Sequence, residues 1–290
     1  MQEVRLRAFA KINYALDVLW LRVDGYHEVS TVLQSISLAD EVELRRAAGG
    51  FKLSFEPEEA EIGPPEQNTA YLAWRLLQRL MGGELPVEIL LRKRIPAGAG
   101  LGGGSADAAA VLVGLNEIFG LGLRKDELRE IGVGIGADVP FSISGGTALG
   151  EGVGESLTPL PAPPAHRLVV VKPLRRADTA SIYGAFDGTE TESTRSVEPV
   201  ISALRSGSVP ALASAVGNDL APVTRGLVPE LAVLEQTLLA SGALGASMSG
   251  SGTAVYGIFD DEDIAGGAKD TVDAPFIGVY EPVSRGMEIA

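Results

Sequence analysis

Cysteine is absent from the 290 residues of the chain. That excludes disulfides, thiolate nucleophiles, iron–sulfur clusters and every zinc site built on sulfur. Histidine is scarce too: His27 and His166 are the two present, too few for a His-Glu-x-x-His metal site. No apolar run approaches the about 18 residues that a membrane span requires, and the N-terminus has no signal-peptide pattern, so a soluble cytoplasmic protein without a membrane partner is the expectation. Basic clusters are lacking as well. Asp and Glu number 38 against 24 Lys and Arg, a formal charge of −14, and the longest basic runs are Arg45-Arg46 and Arg175-Arg176. Nucleic-acid binding relies on clustered cations, so no nucleic-acid partner is expected. Any anionic substrate must be held by a local positive site working against the global field.

What remains is an ordinary globular composition, 46% hydrophobic and 21% charged, able to bury a sizeable core. From Val4 to Leu19 the even positions are apolar while Arg5, Arg7, Lys11, Asn13 and Asp17 occupy odd ones, the period of a long half-buried strand. Asp24-Gly25 marks a tight turn, after which the chain returns toward Ile36. Glu41–Arg46 and Phe51–Phe55 read as a second hairpin around residues 47–50. Asn68 is the expected N-cap of a helix with Ala73, Leu76, Leu77 and Leu80 on one face. Val87–Arg94 reads as a strand and Ser105–Phe119 as a helix. Four prolines between Pro159 and Pro164 suggest a boundary, dividing the chain into residues 1–158 and 159–290. Beyond it, strands are expected at Arg167–Lys172, Thr253–Phe259 and Phe276–Tyr280. Helices are expected at Thr179–Phe186, Pro229–Leu239 and Ile264–Lys269, with a mobile polar loop over Asp187–Arg195. Interleaved without a regular βαβ rhythm, these elements make a two-lobed α+β chain.

The strongest local signal is Pro96-Ala97-Gly98-Ala99-Gly100-Leu101-Gly102-Gly103-Gly104-Ser105-Ala106. Five glycines in seven residues let successive backbone N–H groups converge on one point. The helix N-terminus directly behind them attracts an anion, and phosphate is the natural guest. Gly104 stands where a P-loop needs its lysine, so this is not a Walker motif. Gly98-Ala-Gly100-Leu-Gly102-Gly103 satisfies the dinucleotide pattern G-x-G-x-x-G. That fingerprint also needs an acidic residue ending the next strand, however, and residues 120–127 look like a loop entering a helix.

The segment Pro-x-x-x-Gly-Leu-Gly-(Gly-Gly)-Ser-Ala resembles the ATP-binding motif of the GHMP kinases. Ala10-Lys11-Ile12-Asn13, Asp24-Gly25-Tyr26-His27, Gly136-Ala137-Asp138-Val139-Pro140, Asn218-Asp219-Leu220 and the late loop Gly245–Thr253 agree with it in kind and order, over nearly the whole chain. The resemblance implies a GHMP kinase fold, with a ribosomal-protein-like N-terminal lobe, a ferredoxin-like C-terminal lobe and the active site between them. It implies a phosphotransferase that uses ATP with Mg²⁺ on a small-molecule alcohol carrying a cytidine diphosphate. The chain would act as a monomer or homodimer. Another GHMP small-molecule kinase, or a non-catalytic dinucleotide-binding protein, are the alternatives.

On pattern alone Lys11 and Asn13, about 7 Å apart on one strand face, would sit like most such residues on a solvated surface. The resemblance instead makes Lys11 catalytic and Asn13 a contact to the substrate hydroxyl. Asp138, in a non-helical turn, is by pattern either a turn-former or a general base; the resemblance makes it the base. Residues Pro96 to Ala106 would bind ATP. Tyr26 and His27 offer a surface for stacking a pyrimidine, with Tyr183 as the second aromatic. Ser105 is either the helix N-cap or a ligand of Mg²⁺ or phosphate. The residues holding the metal, and the roles of Asn218-Asp219 and of the late loop, are not read from the sequence.

Overall fold

The computed structural model describes residues 2–58, 64–189, 193 and 196–290. The first lobe is built on two long antiparallel strands, β1 (Glu3–Leu21) and β2 (His27–Arg46). The chain continues through β3 (Phe51–Glu56), α1 (Thr69–Met81), β4 (Val87–Arg92), α2 (Gly103–Phe119), α3 (Lys125–Val133) and α4 (Val139–Ser144). Strands β5 (Thr147–Gly152) and β6 (Ser156–Pro159) close this lobe, β5 pairing with the first half of β2 while β4 pairs with its second half. The second lobe opens with β7 (Arg167–Lys172), α5 (Thr179–Phe186), α6 (Val197–Ser206), α7 (Val209–Ala215), β8 (Gly217–Asn218) and α8 (Ala221–Leu227). It ends with α9 (Glu230–Ala240), β9 (Gly245–Met248), β10 (Val255–Phe259), α10 (Glu262–Thr271), β11 (Phe276–Tyr280) and β12 (Met287–Ile289).

The first sheet runs β12-β1-β2-β4-β3, and the second runs β11-β7-β10-β9. The sheets change over across the proline stretch, but segments cross back: β12 pairs with β1, and β8 runs parallel to β1 at Ala15 and Leu16.

The expected hairpin of Glu41–Arg46 with Phe51–Phe55 does not form. Strand β4 lies between them, antiparallel to β2 and parallel to β3. Val87, Ile89 and Leu91 are fully buried whereas Phe51 and Leu53 are half-buried, so the more apolar strand takes the central place. A parallel pair cannot be closed by a tight turn, and α1 supplies the crossover. The dinucleotide geometry is also absent. After β4 and α2 come two further helices, then β5, which pairs with β2 and β6 and not with β4, so no βαβ unit forms around the glycines.

Strand β1 is buried on both faces from Ala8 to Val18. Its even side chains from Val4 to Tyr14 pack in one core with Ala106, Ala110 and Leu115 of α2, whereas Leu16 and Val18 join the core of the second lobe. The odd face is covered by the second lobe. Asp17 accepts from the backbone N–H groups of Ser196 (2.8 Å) and Val197 (3.2 Å), tying the start of α6 to β1. The Tyr256 hydroxyl donates to the Asn13 carbonyl at 2.9 Å. From Lys11 to Asp17 the polar stripe is thus a lobe interface and not a solvated face, while Arg5 is exposed and Arg7 half-buried. Of the expected mobile loop at Asp187–Arg195, residues 190–192, 194 and 195 lie outside the described residues.

Candidate active site

Lys11, Asn13, Tyr26, His27, residues 96–105, Asp138 and Tyr183 all line one cavity of about 1050 Å³ between the lobes. Ala106 does not. Its methyl group points into the core and is fully buried, between Ser105 and Asp107, which both line the cleft.

Helix α2 begins at Gly103, two residues earlier than expected, with Gly102 as N-cap at φ 70° and no side chain capping it. Ser105 is therefore inside the first turn and is not the cap. Without a side-chain cap, the first N–H groups of this helix are left for a ligand. The loop before it is locked to the late loop by glycines. A Cβ on Gly100 would lie 2.0 Å from the Ser249 carbonyl oxygen, and one on Gly102 would lie 2.9 Å from Lys11 Cγ. The Ser249 hydroxyl donates to the Gly100 carbonyl at 2.8 Å, Ala254 N to the Ala99 carbonyl at 3.0 Å, and Lys11 N to the Leu101 carbonyl at 2.9 Å.

Register shifts at Phe9/Ala10 and Asn13/Ala15 bracket Lys11 and Asn13, re-aiming both side chains within β1. Lys11 Nζ donates to Asn13 Oδ1 at 2.8 Å, and Asn13 Nδ2 donates to the Thr31 hydroxyl at 2.8 Å. The amide so oriented holds the ammonium, which lies 3.5 Å from Asp138 Oδ2. Asp138 is the N-cap of α4, a helix expected as a turn, and its side chain makes no capping bond. It is thereby free to face Lys11. A second ionic cluster backs the loop: Lys93 bridges Asp40 and Asp107, while Asp40 Oδ1 also accepts Arg94 N at 2.5 Å and Ile95 N at 2.9 Å. Burial alone would lower the Lys93 ammonium, but the charges of Asp107 and Asp40 outweigh it and hold its pKa above the ordinary value. Burial also raises the Asp107 carboxyl, against the pull of Lys93.

The other end of the cleft is aromatic. His27 is buried and stacks on Tyr183 of α5, with ring centroids 4.8 Å apart and planes 29° apart. Tyr26 is 65% exposed at the rim, after a turn in which Asp24 accepts its N–H at 3.1 Å. The Tyr183 phenol is pushed up to about 12, first by burial and then by the charge of Asp138, which brings the aromatic end within the field of the carboxylate.

Residues to which the sequence assigned no role complete the site. Thr31 fixes Asn13, Ser249 fixes the phosphate-side loop, and Asp187 bonds His27. Asn218 donates to the carbonyls of Met248 (2.9 Å) and Gly250 (2.8 Å), so the Asn-Asp-Leu segment pins the late loop. Thr31 and Asp187 carry no local signal, because each acts on a partner far away in the chain; Asn218 and Ser249 lie in motifs the sequence showed, but their partners are equally distant.

Comparison with known proteins agrees with this geometry. The model of the GHMP kinases N terminal domain matches residues 68–146, and that of the GHMP kinases C terminal matches residues 200–278. A 4-diphosphocytidyl-2-C-methyl-D-erythritol kinase of Pelotomaculum thermopropionicum is 45% identical over 260 residues, 89% of this chain and 90% of that protein. One from Thermoanaerobacter pseudethanolicus is 38% identical over 291 residues, 100% of this chain and 99% of that protein. A crystal structure of a 4-(cytidine 5'-diphospho)-2C-methyl-D-erythritol kinase superposes with a TM-score of 0.80 at 34% identity, covering 96% of this chain and 98% of that one. A homoserine kinase from Cytophaga hutchinsonii, 19% identical with a TM-score of 0.79 and covering 100% of this chain and 98% of its own, shares the fold. With a cleft lined by the matched motifs and homology along its whole length, the chain belongs to the 4-diphosphocytidyl-2-C-methyl-D-erythritol kinase family of the GHMP kinases.

Proposed function

We propose that the chain transfers the terminal phosphoryl group of ATP to the 2-hydroxyl of 4-diphosphocytidyl-2-C-methyl-D-erythritol, in the non-mevalonate route to isoprenoid precursors. The observation that carries this reading is Lys11 Nζ held by Asn13 and 3.5 Å from Asp138 Oδ2, with its stem against the glycine-rich loop. Phosphoryl transfer asks a protein mainly to position groups and neutralise charge. Backbone amides of residues 98–105 hold the phosphates of ATP. Asp138 takes the proton of the attacking hydroxyl, and Lys11 orients that hydroxyl and stabilises the alkoxide. Asn13 positions Lys11 and offers its remaining amide hydrogen to the acceptor. Tyr26, His27 and Tyr183 receive the cytosine.

Of the four carboxylates lining the cleft, Asp107 is bonded to Lys93, Asp178 to Ser181 and Asp187 to His27, whereas the Asp138 carboxylate has only the Lys11 ammonium at 3.5 Å among the described residues. No cluster of three or more metal-binding side chains occurs among the described residues. That donor set suits Mg²⁺ carried on nucleotide phosphates, which needs one or two protein oxygens; Ser105 would hold it, and it would neutralise charge on the transferred group. No helix among the described residues is long and apolar enough to cross a membrane.

The test is release of ADP on mixing the protein with ATP, Mg²⁺ and the erythritol substrate, with formation of its 2-phosphate followed by phosphorus NMR. Turnover with homoserine or mevalonate and none with the erythritol substrate would overturn the assignment of the acceptor.

A further inference from the structure

Two residues of the C-terminal lobe reach His27, which opens strand β2 of the N-terminal lobe. Tyr183 covers one face of the imidazole, and Asp187, just past the end of α5, meets its edge: His27 Nε2 lies 2.6 Å from Asp187 Oδ1. A carboxylate only accepts, so Nε2 carries the hydrogen. Nδ1 makes no hydrogen bond to the described residues and is not sealed from solvent. In the neutral imidazole it is then a lone-pair acceptor at the wall of the cleft.

We propose that Asp187 is a positioning residue for the acceptor site: it fixes the tautomer and ring orientation of His27, so that Nδ1 is presented as an acceptor to an amino group of the pyrimidine. This inference rests on the cytidine reading given above. Without Asp187 the ring is free to carry its hydrogen on Nδ1, which would oppose a donor where an acceptor is needed. Asp187 itself is 43% exposed on its side chain and buries little, so its loss should act on recognition of the acceptor and leave the fold intact. The contact also joins the two lobes across the mouth of the cleft, which makes recognition of the acceptor depend on how the lobes meet.

The chain offers a clean spectroscopic test because His27 and His166 are its two histidines. His166 Nδ1 donates to the Pro164 carbonyl at 2.7 Å and is the opposite tautomer, an internal control for folding. In long-range proton–nitrogen NMR at about pH 8, above the ordinary imidazole range, the wild-type protein should show one Nε2–H ring, His27, and one Nδ1–H ring, His166. Asp187→Ala should change the first and leave the second. In steady-state assays the same variant should raise KM for the acceptor roughly three- to tenfold, the loss of one oriented hydrogen bond. KM for ATP and kcat should stay within about twofold. Cytidine 5′-monophosphate, a competitor of the acceptor in the wild type, should weaken by a similar factor. An unchanged His27 ring in Asp187→Ala, or equal inhibition of the two proteins, overturns the proposal. Failure of cytidine monophosphate to compete in the wild type would overturn the cytidine reading instead, while the NMR comparison still decides the Asp187–His27 contact.

Discussion

The two ends of the cleft are built by opposite means. At the glycine-rich end, proposed for phosphate, the working groups are backbone: glycines approach so closely that a single methyl at position 100 would meet the Ser249 carbonyl at 2.0 Å. At the aromatic end, proposed for the pyrimidine, they are side chains, Tyr26, His27, Tyr183 and Asp187, held by stacking and one hydrogen bond. A phosphate is recognised by converging N–H dipoles, which any sequence supplies once the backbone can take the required path. A base edge needs particular donors and acceptors. The first end should therefore be brittle to small changes of volume, and the second graded in its response to changes of chemistry.

Lys11 and Asp138 stand where the ends meet. Asp138→Asn keeps the volume and removes the base, so kcat should fall by about 10²- to 10⁴-fold with KM for ATP and acceptor little altered; a loss confined to one KM would move Asp138 to that end of the site. Gly100→Ala should be next in size. Its φ of 73° and the blocked Cβ force the two loops apart, at a cost of order 1–3 kcal/mol for the conformation alone. Nucleotide titration should show ATP affinity reduced by tenfold or more, and calorimetry a lower Tm, while acceptor competition by a cytidine nucleotide is retained. Tyr26→Ala should act in the reverse sense. With the ring 65% exposed, the fold should be untouched, and a several-fold rise in KM should appear for the acceptor alone.

The smallest effect lies outside both ends. His166 is buried at the lobe junction, where it accepts from the Tyr14 hydroxyl at 3.0 Å and donates to the Pro164 carbonyl. Burial, helped by the charge of Arg167 and opposed by the Pro164 bond, lowers its pKa from the ordinary 6.5. A lowered pKa means the unfolded chain takes the proton first, so the stability His166 contributes is present above the ordinary value and lost as pH falls through the folded one. Thermal melts between about pH 7.5 and pH 5 should show a falling Tm, with a flatter slope for His166→Gln.

Much of the site is legible in the sequence because its signals are local. The glycine-rich run, the Lys11-Ile12-Asn13 alternation and the Asp138-Val139-Pro140 segment each name their residues within a few positions. The first strand, α1 and α9 are read well because their apolar faces repeat with a fixed period. The hairpin at residues 41–55 is misread because propensity finds strands without saying which neighbour each prefers. Burial of Val87, Ile89 and Leu91 decides that by placing β4 in the middle. Ser105 as N-cap fails because glycine in the left-handed region starts the helix earlier. The seven-residue helices α7 and α8 have too few turns to show a clear period, whereas α6 carries one at Val197, Val200, Ile201 and Leu204 and is missed all the same.

By itself the sequence determines the chemical inventory: no thiols, two imidazoles, a backbone able to cradle phosphates, and an amino group and a carboxylate in recognisable settings. Those properties follow from composition and short-range spacing, which survive in the unfolded chain. That Lys11 meets Asp138 from 127 positions away in sequence, that Asn218 pins a loop near residue 250, and that Asp187 bonds His27 are decided by tertiary structure alone. Such partners are chosen by which surfaces exclude water together, and a single sequence carries no local trace of that choice.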